Sequence, residues 1–257
     1  MLDRQPQLKL WLRHAASGLA RRVLRARAVP LSADPAGVTL VLAPHQDDEV
    51  LGCGGLIAAR RRAGHPVHVA YVTDGSASHP GHPELTPERL VEQRAAEARA
   101  ALRMLGVESP AIHFLGARDG TLDRLAADDA AALTTRLERL LRGVQPAEVF
   151  LPCRDDGSSE HEAAFRLFER ALAASGLKPR VGEFPVWSWW NPRLLARPLR
   201  RSRRILRFEF CGYEFLKARA LAACRSQTEP VPPWTDAVLS PGFCRMFLAS
   251  EEFFFES

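Results

Sequence analysis

The feature that most constrains the fold of this 257-residue chain is an alternation of short apolar runs with longer amphipathic runs. Continuous apolar runs rich in β-branched residues are typical of parallel strands buried on both faces. The predicted strands cover residues 38–42, 65–75, 111–116, 147–152, 181–190 and 204–213, and the predicted helices cover 49–64, 87–105, 126–143, 160–176 and 217–228. This order predicts an α/β fold, a Rossmann-like three-layer sandwich whose mostly parallel sheet has helices on both faces.

The chain is long enough for one domain with a substantial core, and its composition, 46% hydrophobic and 25% charged, is that of a globular protein. Residues 31–257 contain no linker or internal repeat and are predicted to form a single domain. Residues 1–30 are predicted to add a basic amphipathic helix. We expect this helix to dock on its own domain or on a sister subunit, and contact with a membrane surface is the alternative. The oligomeric state is not predicted.

The charge distribution bears on the partners of the protein, and the cysteine content bears on its location. The net charge of +5 comes mainly from arginines in residues 12–27 and 193–207. We interpret these as solvated basic segments, with attraction to an anionic substrate or lipid as the alternative. They lack interleaved aromatic residues, so no nucleic-acid partner is predicted. The five cysteines form no CxxC pair, which favours a reducing, cytoplasmic location. Neither a signal peptide nor a transmembrane segment is predicted.

Polar clusters follow three of the predicted strands, in residues 44–49, 73–82 and 152–161. In open parallel sheets, ligands bind outside the carboxyl ends of the strands. Because those ends lie along one edge of a sheet, we expect the three clusters to come together. The sequence therefore predicts a functional site at this edge.

The first cluster contains His45, Asp47, Asp48 and Glu49 within five positions. A bound cation would relieve the repulsion between the carboxylates, and zinc accepts both imidazole nitrogen and carboxylate oxygen. An acidic cluster at a helix N-terminus, stabilised by the helix dipole, is the alternative. A catalytic zinc site has three protein ligands. The candidates for the third ligand are His161, His79, His82 and His113.

The run APHQDDEVLGCGG at residues 43–55 resembles the signature of the PIG-L/LmbE-type zinc-dependent N-deacetylases, in which His-Pro-Asp-Asp-Glu precedes a glycine-rich helix start. Further segments match the family in order: 72–81, 94–106, 115–120, 154–161, 185–190 and 217–227. The resemblance covers roughly residues 38–255. It implies an amidohydrolase that removes an acyl group, expected to be acetyl, from the 2-amino group of an N-acetylglucosamine-type sugar conjugate through attack of metal-activated water.

The resemblance also implies the roles of individual residues. His45, Asp48 and His161 would bind zinc or another divalent transition metal, and Asp47 would be the general base. Substrate binding is assigned to Arg94, Asp119 and Ser158. From their sequence context alone, Arg94 reads equally well as a charge on a helix surface and Asp119 as a turn residue.

The chain departs from the family pattern at two positions. Gln46 replaces the usual proline, which changes the stiffness of the turn but no ligand. Ser158 replaces a histidine of the family's D-x-H-P-D-H pattern that is thought to stabilise the oxyanion or protonate the leaving amine. A hydroxyl donates a hydrogen bond but is a very poor acid. A catalytically weak or inactive zinc- or sugar-binding protein is therefore the alternative. Nucleotide binding is disfavoured because LGCGGL lacks GxGxxG spacing and follows acids that would repel a pyrophosphate.

Overall fold

A computed structural model describes residues 5–191, 193–195 and 204–257, with side-chain surroundings from residue 10 onward. The strands are β1 (Val29–Pro30), β2 (Thr39–Ala43), β3 (Val67–Thr73), β4 (Ile112–Ala117), β5 (Glu148–Pro152), β6 (Arg180–Phe184), β7 (Ile205–Glu209) and β8 (Glu251–Glu256). The α-helices are α1 (Gln5–Arg27), α2 (Asp48–Arg62), α3 (Pro87–Met104), α4 (Ala127–Val144), α5 (Ser159–Ser175), α6 (Trp187–Trp190), α7 (Glu214–Ala223), α8 (Arg225–Thr228) and α9 (Pro241–Arg245).

The described strands form one eight-stranded sheet in the order β1-β7-β8-β6-β5-β2-β3-β4. Pairing is parallel except around β8, which runs antiparallel to both β6 and β7. The chain proceeds outward from β2 through β3 to β4 and then returns to β5 on the other side of β2. Ligands of open α/β sheets bind at such a reversal, outside the carboxyl ends of the strands.

Side-chain alternation in β2 divides the core into two layers. Val41 and Ala43 belong to a cluster that also contains residues of α2, α3 and α7. Leu40 and Leu42 point to the opposite face and belong to a cluster with residues of α4 and α5. Both faces of the sheet are therefore covered by helices. This arrangement confirms the predicted three-layer α/β fold.

Several predicted elements differ from the observed ones. The strand predicted over residues 181–190 ends at Phe184, and the aromatic residues after it form α6. The helix predicted over residues 217–228 is divided into α7 and α8 at Cys224, whose backbone leaves the helical conformation. The C-terminal strand β8 was not predicted. Gly143, the last residue of the helix predicted over 126–143, lies inside α4, which ends at Val144 and is followed by Gln145 in the left-handed conformation.

Helix α1 lies against the sheet and α6. Ser17 and Leu24 are buried, and the Ser17 hydroxyl donates a hydrogen bond to the carbonyl of Trp189. The Arg25 guanidinium forms two hydrogen bonds with the Glu251 carboxylate of β8. Among the described residues, none of the helices combines the length and apolarity needed to cross a bilayer. The division between an appended helix and a domain at residue 30 stays a prediction. Residues 1–4 of that helix and 196–203 of the second basic segment lie outside the described residues.

Candidate active site

Three predicted ligands meet where the sheet order reverses. His45 lies in the turn after β2, Asp48 begins α2, and His161 lies in the first turn of α5, which follows β5. Each offers a ligand atom within 4.8 Å of those of the other two. Asp48 Oδ2 lies 3.2 Å from His45 Nδ1 and 3.3 Å from His161 Nε2. The structure thus brings together two imidazoles and a carboxylate, a donor set that suits zinc.

The environment of His161 fits a metal ligand. Its side chain is buried, and Nδ1 lies 2.8 Å from Asp156 Oδ2. Its Nε2 is also buried but has no hydrogen-bond partner. Metal-binding histidines commonly donate one ring N–H to a carboxylate, which leaves the lone pair of the other nitrogen for the metal. A buried nitrogen without a hydrogen bond is costly, and a cation between His161 and Asp48 would remove that cost.

The Asp156 carboxylate also determines the shape of the loop after β6. Its Oδ1 accepts hydrogen bonds from the backbone N–H groups of Val186 and Ser188 and from the Ser188 hydroxyl. Its Oδ2 accepts from the backbone N–H of Trp187 as well as facing His161. These bonds satisfy donors at the start of α6. One buried carboxylate therefore positions both a predicted ligand and the aromatic wall of the site.

A second set of carboxylates lies on the other side of His45. His45 Nε2 is 2.8 Å from Glu160 Oε2 and 3.3 Å from Asp119 Oδ1. These three residues form a second group whose donor atoms could hold a metal. Because a neutral imidazole carries one proton, Nδ1 is available towards Asp48 when Nε2–H donates to Glu160. In that tautomer Glu160 and Asp119 orient His45 as Asp156 orients His161.

The carboxylates of the site favour positive charge between them. Burial opposes protonation of His161, but Asp48 and Asp156 outweigh it and raise the pKa of His161 to about 9. Burial also opposes protonation of His45, yet its hydrogen bonds with Asp119, Asp48 and Glu160 raise its pKa well above the ordinary value. The pKa of Asp48 is lowered, because the two imidazoles outweigh its burial. A divalent cation would supply the same charge and displace these protons.

Asp47 lies beside the predicted ligands and lines the same cavity. It occupies the N-cap position of α2, but its side chain makes no capping hydrogen bond, which disfavours a purely structural capping role. Burial raises the pKa of its carboxyl, and the nearby charge of Arg94 opposes that rise. The distance between Asp47 Oδ2 and Arg94 Nη2 is 3.4 Å. The arrangement provides a carboxylate of increased basicity beside the metal-ligand set.

The residues predicted to bind substrate also line this cavity. Arg94 and Asp119 are 2% and 7% exposed, so neither is a solvated surface charge. Arg94 Nη1 is 3.9 Å from Asp119 Oδ2, which also accepts a hydrogen bond from the backbone N–H of Ala77. Ser158 is the N-cap of α5, and its hydroxyl oxygen accepts from the backbone N–H of His161. The three residues are therefore held by the protein as well as facing the cavity.

The other candidate histidines lie away from His45, Asp48 and His161. His79 and His82 both contact the ring of Trp234, with centroid separations of 5.2 Å. His113 stacks on His68 across the β3–β4 pair. Of the four candidates for a third ligand, the structure places only His161 in a described group with His45 and Asp48.

The cavity, of about 440 Å³, has a polar side and an apolar side. Trp187, Val238, Leu239 and Phe243 form the apolar side. Ser78 and Gln227 extend the polar side, and the Gln227 side-chain amide donates to the Ser78 hydroxyl. Gln227 ends the family-like segment 217–227 and Ser78 lies in the segment 72–81, but the sequence predicts no role for either residue. A mixed lining of this kind suits a ligand with hydroxyl groups and an apolar substituent.

The chain is similar to proteins of known family and structure. The chain matches the model of the PIG-L family, GlcNAc-PI de-N-acetylase, over residues 40–172. It is similar to the conserved protein TT1542 from Thermus thermophilus, with 29% identity, a TM-score of 0.51, and coverage of 74% of this chain and 79% of that chain. It is also similar to the N,N'-diacetylchitobiose deacetylase from Pyrococcus horikoshii, with 23% identity, a TM-score of 0.57, and coverage of 84% and 79%.

A further structural neighbour is GalB, the 4-carboxy-2-hydroxymuconate hydratase from Pseudomonas putida, with 22% identity, a TM-score of 0.58, and coverage of 73% of this chain and 78% of that chain. Since a deacetylase and a hydratase share this fold, structural likeness alone does not identify the reaction. The family match is more specific, because it spans more than half of the 257 residues and includes the segments that carry His45 and His161. The chain therefore belongs to the PIG-L family of GlcNAc-PI de-N-acetylases.

Proposed function

We propose that this protein is a metal-dependent amidohydrolase that removes an acyl group, expected to be acetyl, from the 2-amino group of an N-acetylglucosamine-type sugar conjugate. The family match supports an N-deacetylase. The observation that carries metal dependence is the buried Nε2 of His161, which has no hydrogen-bond partner and faces Asp48. The neighbouring Asp47 carboxylate supplies the base that amide hydrolysis needs.

His45, Asp48 and His161 would hold zinc or another divalent transition metal. Bound there, such a cation would polarise the substrate carbonyl and increase the acidity of water. Glu160 and Asp156 would keep the two imidazoles in the tautomers that present a lone pair to the cation. The donor set is neutral nitrogen and anionic oxygen, which is borderline in softness and agrees with zinc.

Asp47 acts as the general base in this proposal. It takes a proton from water as the new carbon–oxygen bond forms, and the carbon–nitrogen bond then breaks. Ser158 cannot replace the acidic histidine of the family pattern, so Asp47 returns the proton to the leaving amine. Burial raises the pKa of Asp47, which makes its carboxylate a stronger base towards water, while Arg94 keeps the ionised form accessible. Products are a carboxylic acid and a free amino sugar.

The two sides of the cavity would bind different parts of the substrate. Asp119 and Arg94 can exchange hydrogen bonds with sugar hydroxyls, and Ser158 can donate one through its hydroxyl. The exposed face of Trp187 and the side chain of Val238 provide a surface for an apolar aglycone. We propose a small-molecule or glycan-conjugate substrate and no nucleic-acid partner. A cytoplasmic location stays a prediction from the cysteine content.

The proposal is tested by metal analysis of protein purified without a polyhistidine tag, together with an acetate-release assay on a panel of N-acetylglucosaminyl compounds. We expect one equivalent of metal and release from at least one compound. Asp47→Asn should keep the metal and lose at least about 100-fold in kcat. His161→Ala should lose the metal, whereas His65→Ala, outside the site, should retain it.

Other results would select the alternative or reject the proposal. Stoichiometric metal and sugar binding without acetate release, unchanged by Asp47→Asn, would indicate a non-catalytic binding protein. Retention of the metal by His161→Ala with unchanged affinity would refute the ligand set. Full activity of Asp47→Asn would refute the assigned base.

A further inference from the structure

Helix α1 presents large apolar side chains to solvent. Trp11 and Leu19 are each 64% exposed, Leu12 is 52% exposed and Val23 is 39% exposed. Positions 11, 15, 19 and 23 recur at four-residue intervals, and Leu12 lies beside them, so these side chains share one side of the helix. We name Trp11, Leu12, Leu19 and Val23 the outer face. An isolated exposed apolar residue is ordinary, but a continuous row on one helix needs an explanation.

The contacts of α1 with the rest of the protein use its opposite side. Leu24 is buried in the core, and Ser17 bonds to the backbone of α6. Arg21 donates to the carbonyl of Met246, while Arg25 contacts the Glu251 carboxylate. These interactions hold the helix in place without the outer face. None of these contacts involves an outer-face side chain, and those side chains stay 39–64% exposed.

The charged residues of helix α1 itself have one sign. Residues 4–33 contain seven lysines and arginines and no aspartate or glutamate. On the helix itself, Arg22 and Arg27 are exposed. Arg22 falls between Trp11 and Leu19 around the helix axis, and Arg27 follows Val23 by one turn. Apolar side chains including tryptophan, accompanied by arginines, are characteristic of helices that lie in the interface of an anionic membrane.

We propose that the outer face of α1 docks on an anionic lipid surface. The apolar side chains enter the boundary between headgroups and acyl chains, and Arg22 and Arg27 contact the acidic headgroups. A second copy of the chain fits less well, because pairing two outer faces would bring arginines of like charge together without a carboxylate between them. The attraction to acidic lipid, in contrast, uses both the apolar row and the charge.

The packed side of α1, opposite the outer face, lies beside the wall of the candidate active site. The Arg13 guanidinium lies 4.4 Å from the ring centroid of Trp190, whose ring contacts Phe243 of the cavity wall. On the same wall, Trp187 is 37% exposed. Helix α1 and the apolar side of the cavity are therefore neighbours. The docking proposal does not depend on the proposed reaction, because lipid binding is measured without substrate.

The test is co-sedimentation of the full chain with vesicles of phosphatidylcholine alone and of phosphatidylcholine mixed with phosphatidylglycerol. We expect binding to the anionic vesicles, which weakens as salt is added. The double variant Trp11→Ser/Leu19→Ser should bind at least about tenfold more weakly, because two largely exposed apolar side chains are lost. Phe215→Ser is the matched control, since Phe215 is 70% exposed on α7, outside the outer face.

Circular dichroism and light scattering accompany the binding measurement, so that a folding defect or a change in mass is detected. Arg22→Glu/Arg27→Glu should reduce binding to anionic vesicles and leave the fold intact. Equal vesicle binding by the wild type, the Trp11/Leu19 variant and the Phe215 variant would overturn the proposal. Failure of the wild type to bind vesicles would also overturn it. If the wild type is then a dimer that the Trp11/Leu19 variant dissociates, the outer face binds a second copy instead of lipid.

Discussion

Replacing Asp156 by asparagine tests whether this carboxylate sets the tautomer and orientation of His161. The Asp156 carboxylate faces N–H donors with both oxygens, since Oδ1 accepts from Val186 and Ser188 and Oδ2 accepts from Trp187. Asp156→Asn keeps the shape but turns one acceptor into a donor. In either orientation, the amide NH₂ group of the asparagine faces at least one backbone N–H donor. The variant must therefore weaken the start of α6, the contact with His161, or both.

The size of the effect follows from these contacts. With the amide nitrogen towards His161, the imidazole accepts a hydrogen bond at Nδ1 and carries its proton on Nε2, the atom that faces Asp48. That tautomer has no lone pair for a metal. Loss of such an orienting partner lowers metal affinity about 10- to 100-fold. Hydrogen bonds to a charged group contribute about 1.5–3 kcal/mol each, so we also expect the metal-free variant to lose roughly 2–4 kcal/mol of unfolding free energy.

Zinc affinity is measured by competition with a chromophoric chelator, and unfolding free energy by urea titration of the metal-free protein. Asp128→Asn is the control, since Asp128 is an exposed carboxylate in the first turn of α4. It should change neither quantity by more than about 0.5 kcal/mol. A folded Asp156→Asn protein that binds zinc with wild-type affinity would show that the carboxylate does not orient the ligand.

Three further predictions concern pH and packing. Burial raises the pKa of Glu49 to about 8, so the folded state keeps this proton up to that pH, whereas the unfolded chain loses it near pH 4.5. The stability of the wild type should therefore decrease as the pH rises from 4.5 to 8. Glu49→Gln should remove that slope and stabilise the protein by on the order of 3 kcal/mol at pH 8 in urea titrations, and parallel pH profiles would contradict this. Because the pKa of His161 is raised to about 9, the metal-free site is protonated at pH 7. Zinc binding should therefore release protons and tighten as pH rises towards 9, which calorimetry in buffers of different ionisation enthalpy detects; a heat independent of buffer would count against it. A side chain at Gly55 would overlap the ring of Phe210, whereas Gly143 of α4 has open space. Gly55→Ala should cost about 1–3 kcal/mol of unfolding free energy and Gly143→Ala should be neutral or stabilising, and equal effects would refute the packing argument.

The three-layer fold could be predicted from the sequence because parallel strands that are buried on both faces are apolar throughout. Strand β2 has no polar side chain apart from Thr39, and the adjacent β3 and β5 are similarly apolar, so they stand out from the amphipathic helices. The residues of the first cluster are consecutive, and the parallel order places their loop beside that of His161. The local motif and the sheet topology thus point to the same edge.

The elements that were not predicted depend on partners distant in sequence. The sequence of Trp187–Trp190 predicts an apolar strand. The helix begins there because Asp156, 31 residues before Trp187, accepts hydrogen bonds from the backbone N–H groups at its start. The pairing of His45 with Glu160 and Asp119 likewise depends on how three loops meet. The sequence predicts no role for the glycines of LGCGGL, whereas the structure shows close packing of Gly52 on the ring of Phe184 and of Gly55 on the ring of Phe210.

Strand β8 was missed for a similar reason. It begins with Glu251 and Glu252, which are poor candidates for a buried position without knowledge of their partners. Glu252 accepts hydrogen bonds from the backbone N–H groups of Gly55 and Leu56, and it pairs with Lys217. Lys217 in turn donates to the carbonyl of Leu51 in α2. The two members of this ion pair thus form hydrogen bonds with backbone N–H and C=O groups in the middle of α2.

The position of β8 has a consequence for the order in which the molecule assembles. Residues 251–256 lie between β6 and β7, so a nascent chain or proteolytic fragment ending at residue 250 contains every candidate site residue but cannot join β7 to β6. In such a fragment Lys217 would lose its buried counter-ion and α2, whose first residue is Asp48, would lose its support from Glu252. Competence of the site should therefore arise only once residues 251–256 are present, and variants truncated at residue 250 should be inactive although their motifs are intact.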